Sequence, residues 1–252
     1  MVRQDNKQGR SATNTLLAIV AVALFTLVLT TTLQTTVLAN PSGATIVSNT
    51  TTFGPPTTAD DRTDDGGTIT TIVLDTLQQI TNWKGYVGNV TGTLQLADAD
   101  GFAIYDWSLD TSISGQVYAS RTDALSLASI GCATPGTMGT ENTFYGFSQN
   151  DPYTINATFN ETAHTAFSVG TTAITANTCP SQALFVSGNR VAATDTADFQ
   201  EIVLEDDANN LLFTALINQE TTGFNNGLYD FQLIVPNDPD DTTTVYFFLE
   251  LG

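Results

Sequence analysis

The only histidine of the chain, His164, is the first place to look for chemistry. A serine nucleophile needs a histidine base that a third group orients, so any catalytic triad would run through this residue. No Gly-x-Ser-x-Gly elbow accompanies it, and no glycine-rich loop followed by lysine is present to hold a phosphate. One histidine and two cysteines also fall short of a zinc site. The sequence therefore predicts a structural role for His164, no catalytic residue and no cofactor.

Carboxylates are the other side chains that could do chemistry, and the chain has 26 Asp and Glu residues. Two facing carboxylates would be enough for glycoside hydrolysis, but the local sequence does not reveal how far apart they lie in space. A secreted hydrolase therefore stays as an alternative without named residues.

Three Asp-rich segments, residues 60–65, 206–207 and 238–241, offer the oxygen ligands that calcium prefers. A fourth, Asp98-Ala-Asp100-Gly101, resembles the start of a calcium loop but has no glutamate at the required later position. We interpret it as a hairpin turn. Acidic loops are usually just solvated, so we predict no metal site, while weak cation binding between subunits stays a hypothesis.

Cys132 and Cys179 are the only cysteines. An even number of cysteines in an exported chain favours a disulfide. Closing a loop of this length would stabilise the fold by about 4 kcal/mol in the chain-entropy model. The alternative is a pair of buried free thiols, and we predict the disulfide.

The N-terminus has the order of a secretory signal. Basic residues lie within residues 1–10, an uncharged apolar run occupies residues 16–29, and Ala39 offers a small residue for cleavage before Asn40. The alternative is an uncleaved hydrophobic helix over residues 16–38, which is long enough to span a bilayer. Residues 1–39 are thus predicted to be a signal peptide or a membrane anchor. Both interpretations place the rest of the chain outside the cell, with the N-terminus contacting the envelope or membrane.

Glycosylation sequons agree with export. The asparagines of the Asn-x-Thr sequons are Asn49, Asn89, Asn156 and Asn160. Because such triplets also arise by chance in a Thr-rich chain, they predict sites that are open to a glycan rather than sites that all carry one.

The charge balance excludes some partners and favours one setting. Residues 1–39 hold three of the seven basic residues and one of the 26 acidic residues, which leaves 4 basic against 25 acidic residues, a net charge of −21, on the rest. Such an excess repels phosphate backbones and excludes nucleic acid. It also destabilises a compact fold unless salt screens it. We therefore predict a protein of a saline environment; the alternative is a merely acidic secreted protein.

The elements that must position these residues centre on residues 83–107, WKGYVGNVTGTLQLADADGFAIYDW. Apolar side chains alternate over residues 90–96, residues 97–101 supply Asp and Gly for a turn, and residues 102–107 return as a partner strand. The pattern predicts a hairpin bounded by Trp83 and Trp107, the only tryptophans, as anchors of the core.

Short apolar segments separated by turn signals predict an all-β fold, specifically an Ig-like or jelly-roll-like β-sandwich. The other predicted strands are residues 68–74, 112–120, 182–187, 199–204, 211–217, 229–235 and 245–251, with residues 44–53 a short strand or an extended arm.

Three segments complete the predicted domain organisation. Residues 40–67 form a Thr- and Asp-rich arm and linker, and residues 68–252 form the β-sandwich domain. Residues 124–181 are predicted to be an irregular insertion stapled by the disulfide, with short helices near residues 140–147 and 154–161.

Several segments resemble a group of uncharacterised archaeal secreted and cell-surface β-rich proteins. The similar segments are residues 83–107, GQVYAS at 115–120, Gly131-Cys132, Cys179-Pro-Ser, TGFNNGLYDFQLIVP at 222–236 and VYFFLELG at 245–252. They cover much of residues 83–252, and residues 40–82 lie outside them. The resemblance implies an archaeal origin and an envelope location, and it carries no assigned chemistry and no catalytic residue.

Together these observations predict a non-catalytic cell-envelope protein, a structural or adhesive component of an archaeal surface layer or filament. The apolar final strand is predicted to lie in the interior of its own sheet; the alternative is that this strand, or the arm after residue 40, pairs with the sheet edge of a neighbouring copy. The runner-up function is an extracellular solute- or glycan-binding module, which needs a pocket with exposed aromatic rings and convergent carboxylates.

Overall fold

The computed structural model describes residues 41–54, 59, 61–74, 79–107, 113–240 and 243–252. The predicted signal peptide or anchor, with its hydrophobic helix over residues 16–38, lies outside these ranges. Within them, no helix is long and apolar enough to cross a bilayer. The described chain is mostly β, and its paired strands are antiparallel.

A seven-stranded sheet forms the centre of the fold. In order across the sheet its strands are β1 (Ser42–Gly43), β15 (Tyr246–Leu251), β5 (Gly115–Ser120), β11 (Leu211–Leu216) and β10 (Gln200–Glu205), with β6 (Gly131–Cys132) and β9 (Ser181–Ala183) both pairing with the outer edge of β10.

Two-stranded ribbons and short helices surround this sheet. The ribbons are β2 (Trp83–Gly88) with β14 (Phe231–Pro236), β3 (Leu94–Ala97) with β4 (Ala103–Trp107), β7 (Phe167–Val169) with β8 (Thr172–Ile174), and β12 (Thr221–Thr222) with β13 (Leu228–Tyr229). The helices are α1 (Pro135–Phe144) and α2 (Ile155–Thr158).

Both faces of the seven-stranded sheet are buried, which explains why its central strands carry apolar side chains at consecutive positions. Successive side chains of a strand point to opposite faces. In β10, Val203 packs into one apolar cluster, while Ile202 and Leu204 pack into another on the opposite face. In β11, Phe213 and Leu212 divide between the same two clusters.

The β2–β14 ribbon covers one face of the sheet. Leu233 and Val235 of β14 pack into the cluster that contains Phe213 and Val203. Trp83 of β2 joins the same cluster, and its indole Nε1–H donates to the carbonyl of Tyr153 at 2.8 Å. Helices α1 and α2 pack into this cluster through Met138 and Ile155, among other residues.

The β7–β8 hairpin covers the other face. Val169 and Ile174 of this hairpin are buried against Tyr118, Ile202 and Leu212 of the sheet. The Cys179 half of the disulfide belongs to the same apolar cluster.

Threonine N-caps start both helices. The Thr134 side chain accepts a hydrogen bond from the Thr137 N–H, and Thr154 does the same for Ala157. These bonds satisfy backbone donors that a helix leaves unpaired in its first turn. Helix α1 contains two glycines, which are poor helix formers. Its stability therefore comes from packing, and its start lies five residues before the predicted 140–147.

The structure confirms the β-rich antiparallel architecture and corrects three sequence predictions. Trp83 lies outside the hairpin, because β2 pairs with β14 and not with β3 or β4. Trp107 is half exposed and does not anchor the core. Residues 68–74 form no strand and are exposed throughout. The predicted domain boundaries stay a prediction.

Candidate functional site

The two outer edges of the seven-stranded sheet are closed in different ways. At one edge, β9 and β6 lie end to end along β10, and Val203 links them by donating to the carbonyl of Pro180 and accepting from the Ala133 N–H. The Cys132–Cys179 disulfide joins β6 to the segment just before β9, with 4.8 Å between the Cα atoms. The structure therefore confirms the predicted disulfide, and it places this bond as a covalent seal on the β10 edge.

The opposite edge, at β15, is closed much less firmly. β15 forms six register pairs with β5 on its inner side but only two with β1 on its outer side, Ser42 with Leu249 and Gly43 with Phe248. One further backbone bond runs from the Ala44 N–H to the carbonyl of Phe247 at 2.9 Å. Both residues of β1 are exposed. The final strand is thus interior, and a two-residue strand closes its outer side.

The described residues of the arm that follows β1 are exposed. Residues 44–54 and 61–74 are all exposed, including the large apolar side chains of Val47, Phe53, Ile69 and Val73. Their β-branched residues favour extended structure, yet no strand pairs with them in the described chain. The arm therefore carries strand-forming sequence without a partner strand.

A second exposed feature is the β3–β4 hairpin. Large apolar side chains on this hairpin have exposed fractions between 50 % and 81 %; they are Leu96, Phe102, Ile104, Tyr105 and Trp107. Within the described residues, neither β3 nor β4 pairs with any strand but the other. Isolated hairpins of two strands are marginally stable in water, and such ribbons normally pack on something else. Leu94 at the start of β3 packs against the cluster of Val90 and Leu251, while the rest of the hairpin presents these apolar side chains to solvent.

The turn of this hairpin follows the predicted chemistry. Asp98 Oδ1 accepts hydrogen bonds from the backbone N–H groups of Asp100 at 3.0 Å and Phe102 at 2.8 Å. Gly101 has a φ of +87°, a conformation that favours glycine. Because the Asp98 carboxylate is used in the turn, the resemblance of this segment to a calcium loop has no support in its geometry.

His164 is fully buried, and the backbone surrounds its ring. Its Nε2 accepts from the N–H groups of Thr178 at 3.2 Å and Cys179 at 3.0 Å. Its Nδ1 therefore carries the proton and donates to the carbonyl of Thr165 at 2.8 Å. Both ring nitrogens are occupied, so the imidazole holds the chain beside the disulfide and has no free nitrogen to act as a base.

Glu201 in β10 is a fully buried carboxyl group. Its Oε2 accepts from Gln182 Nε2 at 2.7 Å, and its Oε1 accepts from the backbone N–H of Ile234 at 3.1 Å. The second bond links the seven-stranded sheet to β14. Burial raises the pKa of Glu201 well above its ordinary value, although these two hydrogen bonds oppose the shift.

Glu250 in β15 makes a similar link on the other face. Its Oε2 accepts from the Tyr118 hydroxyl at 2.6 Å, and its Oε1 accepts from the Gly170 N–H at 2.9 Å in the β7–β8 turn. Burial raises the pKa of Glu250, and its two hydrogen bonds oppose the shift. Burial, followed by the bond to Glu250, also raises the pKa of Tyr118.

Two buried aspartates hold loops in place. Asp230 accepts from the N–H groups of Val90 at 2.7 Å and Glu220 at 2.9 Å. Asp206 accepts from the N–H groups of Ser126, Ala208 and Asn210. Burial alone would raise the pKa of Asp206, but its hydrogen bonds together lower it below the ordinary value. The described residues also form two salt bridges, between Arg62 and Asp64 and between Arg121 and Glu141.

The sequon asparagines differ in their surroundings. Asn49, Asn89 and Asn160 are exposed, whereas Asn156 is half-buried. The Asn156 Oδ1 accepts from Asn142 Nδ2 at 2.7 Å, and its Nδ2 donates to the carbonyl of Pro135 at 3.2 Å. Glycosylation stays a prediction at all four, and the first three offer the more accessible amides.

One open groove, of about 260 Å³, lies beside the ends of β5 and β11. Its lining includes Gln116, Phe167, Asp198, Gln200 and Asn218. Several of its polar groups bind one another, because Gln200 accepts from the Thr165 N–H at 2.8 Å and Asn218 donates to the Asp198 carbonyl at 3.0 Å. The groove is therefore small, and some of the polar groups that line it already form hydrogen bonds with one another.

Ligand-type side chains do not converge in the described part of the chain, where no three His, Cys, Asp or Glu residues are grouped so as to hold a metal ion. Sequence reasoning anticipated the disulfide and the hairpin turn. It missed the buried glutamates, whose only signal was an acid inside an apolar strand, as in QEIVLE at Gln200–Glu205.

Comparisons of the chain with family models, curated proteins and solved structures each returned no match.

Proposed function

We propose that this chain is a non-catalytic component of an archaeal cell envelope, which acts by contact between copies in a surface layer or filament. The observation that carries the proposal is the exposed apolar β3–β4 hairpin. Monomeric soluble proteins rarely leave such patches uncovered, and those that do use them to bind partners. A neighbouring copy offers a matching hairpin with the same free edges, so two hairpins would bury one another.

The surroundings of the reactive side chains support a contact function over catalysis. The His164 ring is held by backbone groups on both nitrogens. The buried carboxyl groups of Glu201, Glu250 and Asp230 all accept backbone hydrogen bonds that join elements of the fold. These groups therefore serve the architecture, and we propose that the protein is not an enzyme.

The same proposal includes a β-sandwich architecture and an extracellular, saline location. We infer that the β2–β14 ribbon is the second layer of a β-sandwich, since its side chains share one apolar cluster with the seven-stranded sheet. The disulfide fits an oxidising compartment outside the cell. The charge excess fits a saline setting, because salt screens the repulsion between like-charged copies.

The test is the assembly state of the native chain at rising salt and protein concentration, measured by sedimentation velocity and electron microscopy. We expect assemblies that grow with salt. The variant Phe102→Ser/Ile104→Ser should reduce them, because it removes the two most exposed apolar side chains of the hairpin.

The matched control is Phe185→Ser, which removes an exposed phenylalanine from outside the hairpin. It should leave assembly unchanged. A native chain that stays monomeric at every salt and protein concentration would contradict the proposed function. Assembly that both variants reduce equally would mean that the hairpin has no special part in it.

The second candidate function is extracellular binding of a small solute or glycan in the groove beside β5 and β11. The half-buried ring of Phe167 and the exposed Asp198 in its lining favour it. Thermal stabilisation of the native chain by mono- and disaccharides, lost in Asp198→Asn, would support this alternative. An unchanged melting temperature across the panel would remove it.

A further inference from the structure

We propose that β1 is exchanged between copies of this chain, so that Ser42–Gly43 of one copy closes the β15 edge of the next. This inference deepens the proposed function and rests on it, since it takes contact between copies as given. It names the segment that is donated, the edge that receives it and the backbone bonds that form.

The closure of the β15 edge by β1 is weak. β1 is held by two register pairs and the bond from the Ala44 N–H to Phe247, and both of its residues are exposed. β15 is held on its inner side by six pairs, and its Phe247 and Leu249 side chains pack into apolar clusters. β1 can therefore leave the sheet while β15 stays in place.

The segment between β1 and β2 is long. Residues 44–82, a stretch of 39 residues, separate β1 from β2. Fully extended, a segment of this length spans at most about 130 Å. The described residues of the stretch up to residue 81 are exposed, whereas Pro41, which precedes β1, is buried. The segment is long enough for β1 to reach the β15 edge of an adjacent domain.

The β15 edge can be closed by β1 of the same copy or by β1 of a neighbouring copy. An exchanged β1 makes the same backbone bonds as the original one, so the contacts themselves do not favour either arrangement. What favours closure within one copy is the tether, and the effective concentration that a flexible linker provides falls about threefold for each doubling of its length. Copies packed in a layer or filament would present neighbouring β1 segments at a comparable concentration. Assembly would then shift β1 from its own sheet to that of a neighbour.

The two edges of the sheet differ, and this difference determines which edge can receive a strand from another copy. The β10 edge is covered by β9 and β6 and is sealed by the Cys132–Cys179 disulfide. Only the β15 edge is closed by a strand that a long exposed arm connects to the domain. Each copy therefore has one donated strand and one receiving edge.

The experiment uses two full-length variants, Ser42→Cys and Leu249→Cys, whose positions are register partners across β1 and β15. One of them is isotopically labelled, and the two are mixed under assembling conditions and oxidised mildly. The native cysteines already form a disulfide, so each variant adds a single reactive thiol. Mass spectrometry without reduction then counts covalent pairs made of one labelled and one unlabelled chain.

The matched control mixes Ser120→Cys with Tyr246→Cys, register partners across β5 and β15. That pairing is interior, and we expect about tenfold fewer mixed pairs from it than from the Ser42→Cys and Leu249→Cys mixture. A single chain that carries both Ser42→Cys and Leu249→Cys shows whether the bond can form at all.

Mixed pairs at the β1–β15 positions, well above the control, would support exchange. A bond within the doubly substituted chain without mixed pairs would overturn it, because β1 would then stay with its own sheet. Equal yields from both mixtures would also overturn it, since they would report general opening of the fold. If the native chain still assembles in either of these two cases, the exchange fails while the proposed function stands. If it does not assemble, both fail.

A proline variant provides a second readout. Ala44→Pro removes the N–H that donates to Phe247. It should lower the yield of mixed pairs several-fold when combined with Ser42→Cys. Ser48→Pro places the same residue further along the exposed arm, beyond β1, and should leave the yield unchanged. Equal yields with both prolines would count against the exchange of β1.

Discussion

Glu201 is fully buried, and among the described residues its carboxyl group accepts from the Gln182 side chain and the Ile234 N–H and from no basic side chain. Glu250 and Asp230 repeat this arrangement, and all three accept backbone N–H groups from another element. After residue 39 the chain has only four basic residues, so salt bridges to buried acids are scarce from the start. Backbone donors take the place of lysine and arginine as partners of these carboxyl groups.

The raised pKa of Glu201 makes the folded state more stable at low pH than at high pH. The folded state binds this proton more tightly than the unfolded chain does, because burial raises the pKa. The stabilisation is complete below the ordinary pKa of a glutamate, and it is lost as the pH rises through the folded-state value. Glu250, whose pKa is also raised, contributes in the same direction.

We therefore expect Glu201→Gln to raise the free energy of unfolding by on the order of 1 kcal/mol at neutral pH. The amide keeps an acceptor for the Ile234 N–H, and Gln182 can rotate to accept from the new NH₂ group. The gain should shrink towards about pH 4, where Glu201 is already protonated in the folded state. Urea titrations across the pH range measure it, with Glu161→Gln at an exposed position as the control. A gain independent of pH would argue against this account.

The two tryptophans make a matched pair for a second test. Trp83 packs against Phe147, Phe159 and Phe213, with ring centroids 6.2–6.5 Å apart. Trp107 is half exposed on β4. Trp83→Ala should lower the free energy of unfolding by about 3–5 kcal/mol, as large-to-small changes in cores do. Trp107→Ala should change it by less than about 1 kcal/mol. Denaturant unfolding followed by circular dichroism would decide, and similar losses would contradict the assigned positions.

At the scale of elements, the disulfide does more than close a loop. It joins β6 to the segment before β9, so that both stay paired with β10. Cys132→Ser/Cys179→Ser should lower the free energy of unfolding by about 4 kcal/mol, given the sequence separation of 47 residues. Thermal and urea unfolding measure the loss, and reduction of the native protein should reproduce it. Amide exchange should increase along β10 more than along β15; a uniform increase would speak against a local seal.

Strand positions were predictable from the sequence, but strand partners were not. Alternating or continuous apolar residues located β5, β10, β11, β14 and β15 to within a few residues. Pairing depends on residues far apart in the chain, which is why β2 finds β14 across more than a hundred residues. Residues 68–74 have the β-branched composition of a strand and still form none, since composition does not supply a neighbouring edge.

The candidate site was predictable to a smaller extent. Asp98 and Gly101 predicted the hairpin turn, because the Asp98 side chain bonds to nearby backbone groups and Gly101 adopts a positive φ. The exposure of Phe102 and Ile104 was not predictable, because an alternating pattern gives the phase of a strand and not the element that covers it. The weak closure at β1 depends on a pairing of two residues, which no pattern of the sequence marks.

At the scale of the whole molecule, repulsion among the acidic residues opposes folding. Raising the salt concentration from about 0.1 M to about 1 M shortens the screening length from roughly 10 Å to roughly 3 Å. The melting temperature should therefore rise with sodium chloride, as calorimetry would show. Asp123→Asn/Asp195→Asn/Asp207→Asn, at exposed positions, should reduce the slope. An unchanged slope would show that the salt acts through something other than these charges.

The scarcity of basic residues also makes the protein a poor substrate for trypsin-like proteases, which cut after lysine and arginine. Beyond residue 39 such an enzyme finds only Arg62, Lys84, Arg121 and Arg190. Lys84 lies within β2, and Glu141 holds the Arg121 guanidinium. Arg62, with 59 % of its side chain exposed, lies in the arm, where nicking is easiest. A cut there would break the covalent link from β1 to the rest of its domain, and the backbone hydrogen bonds to β15 would then help to hold β1 on the sheet.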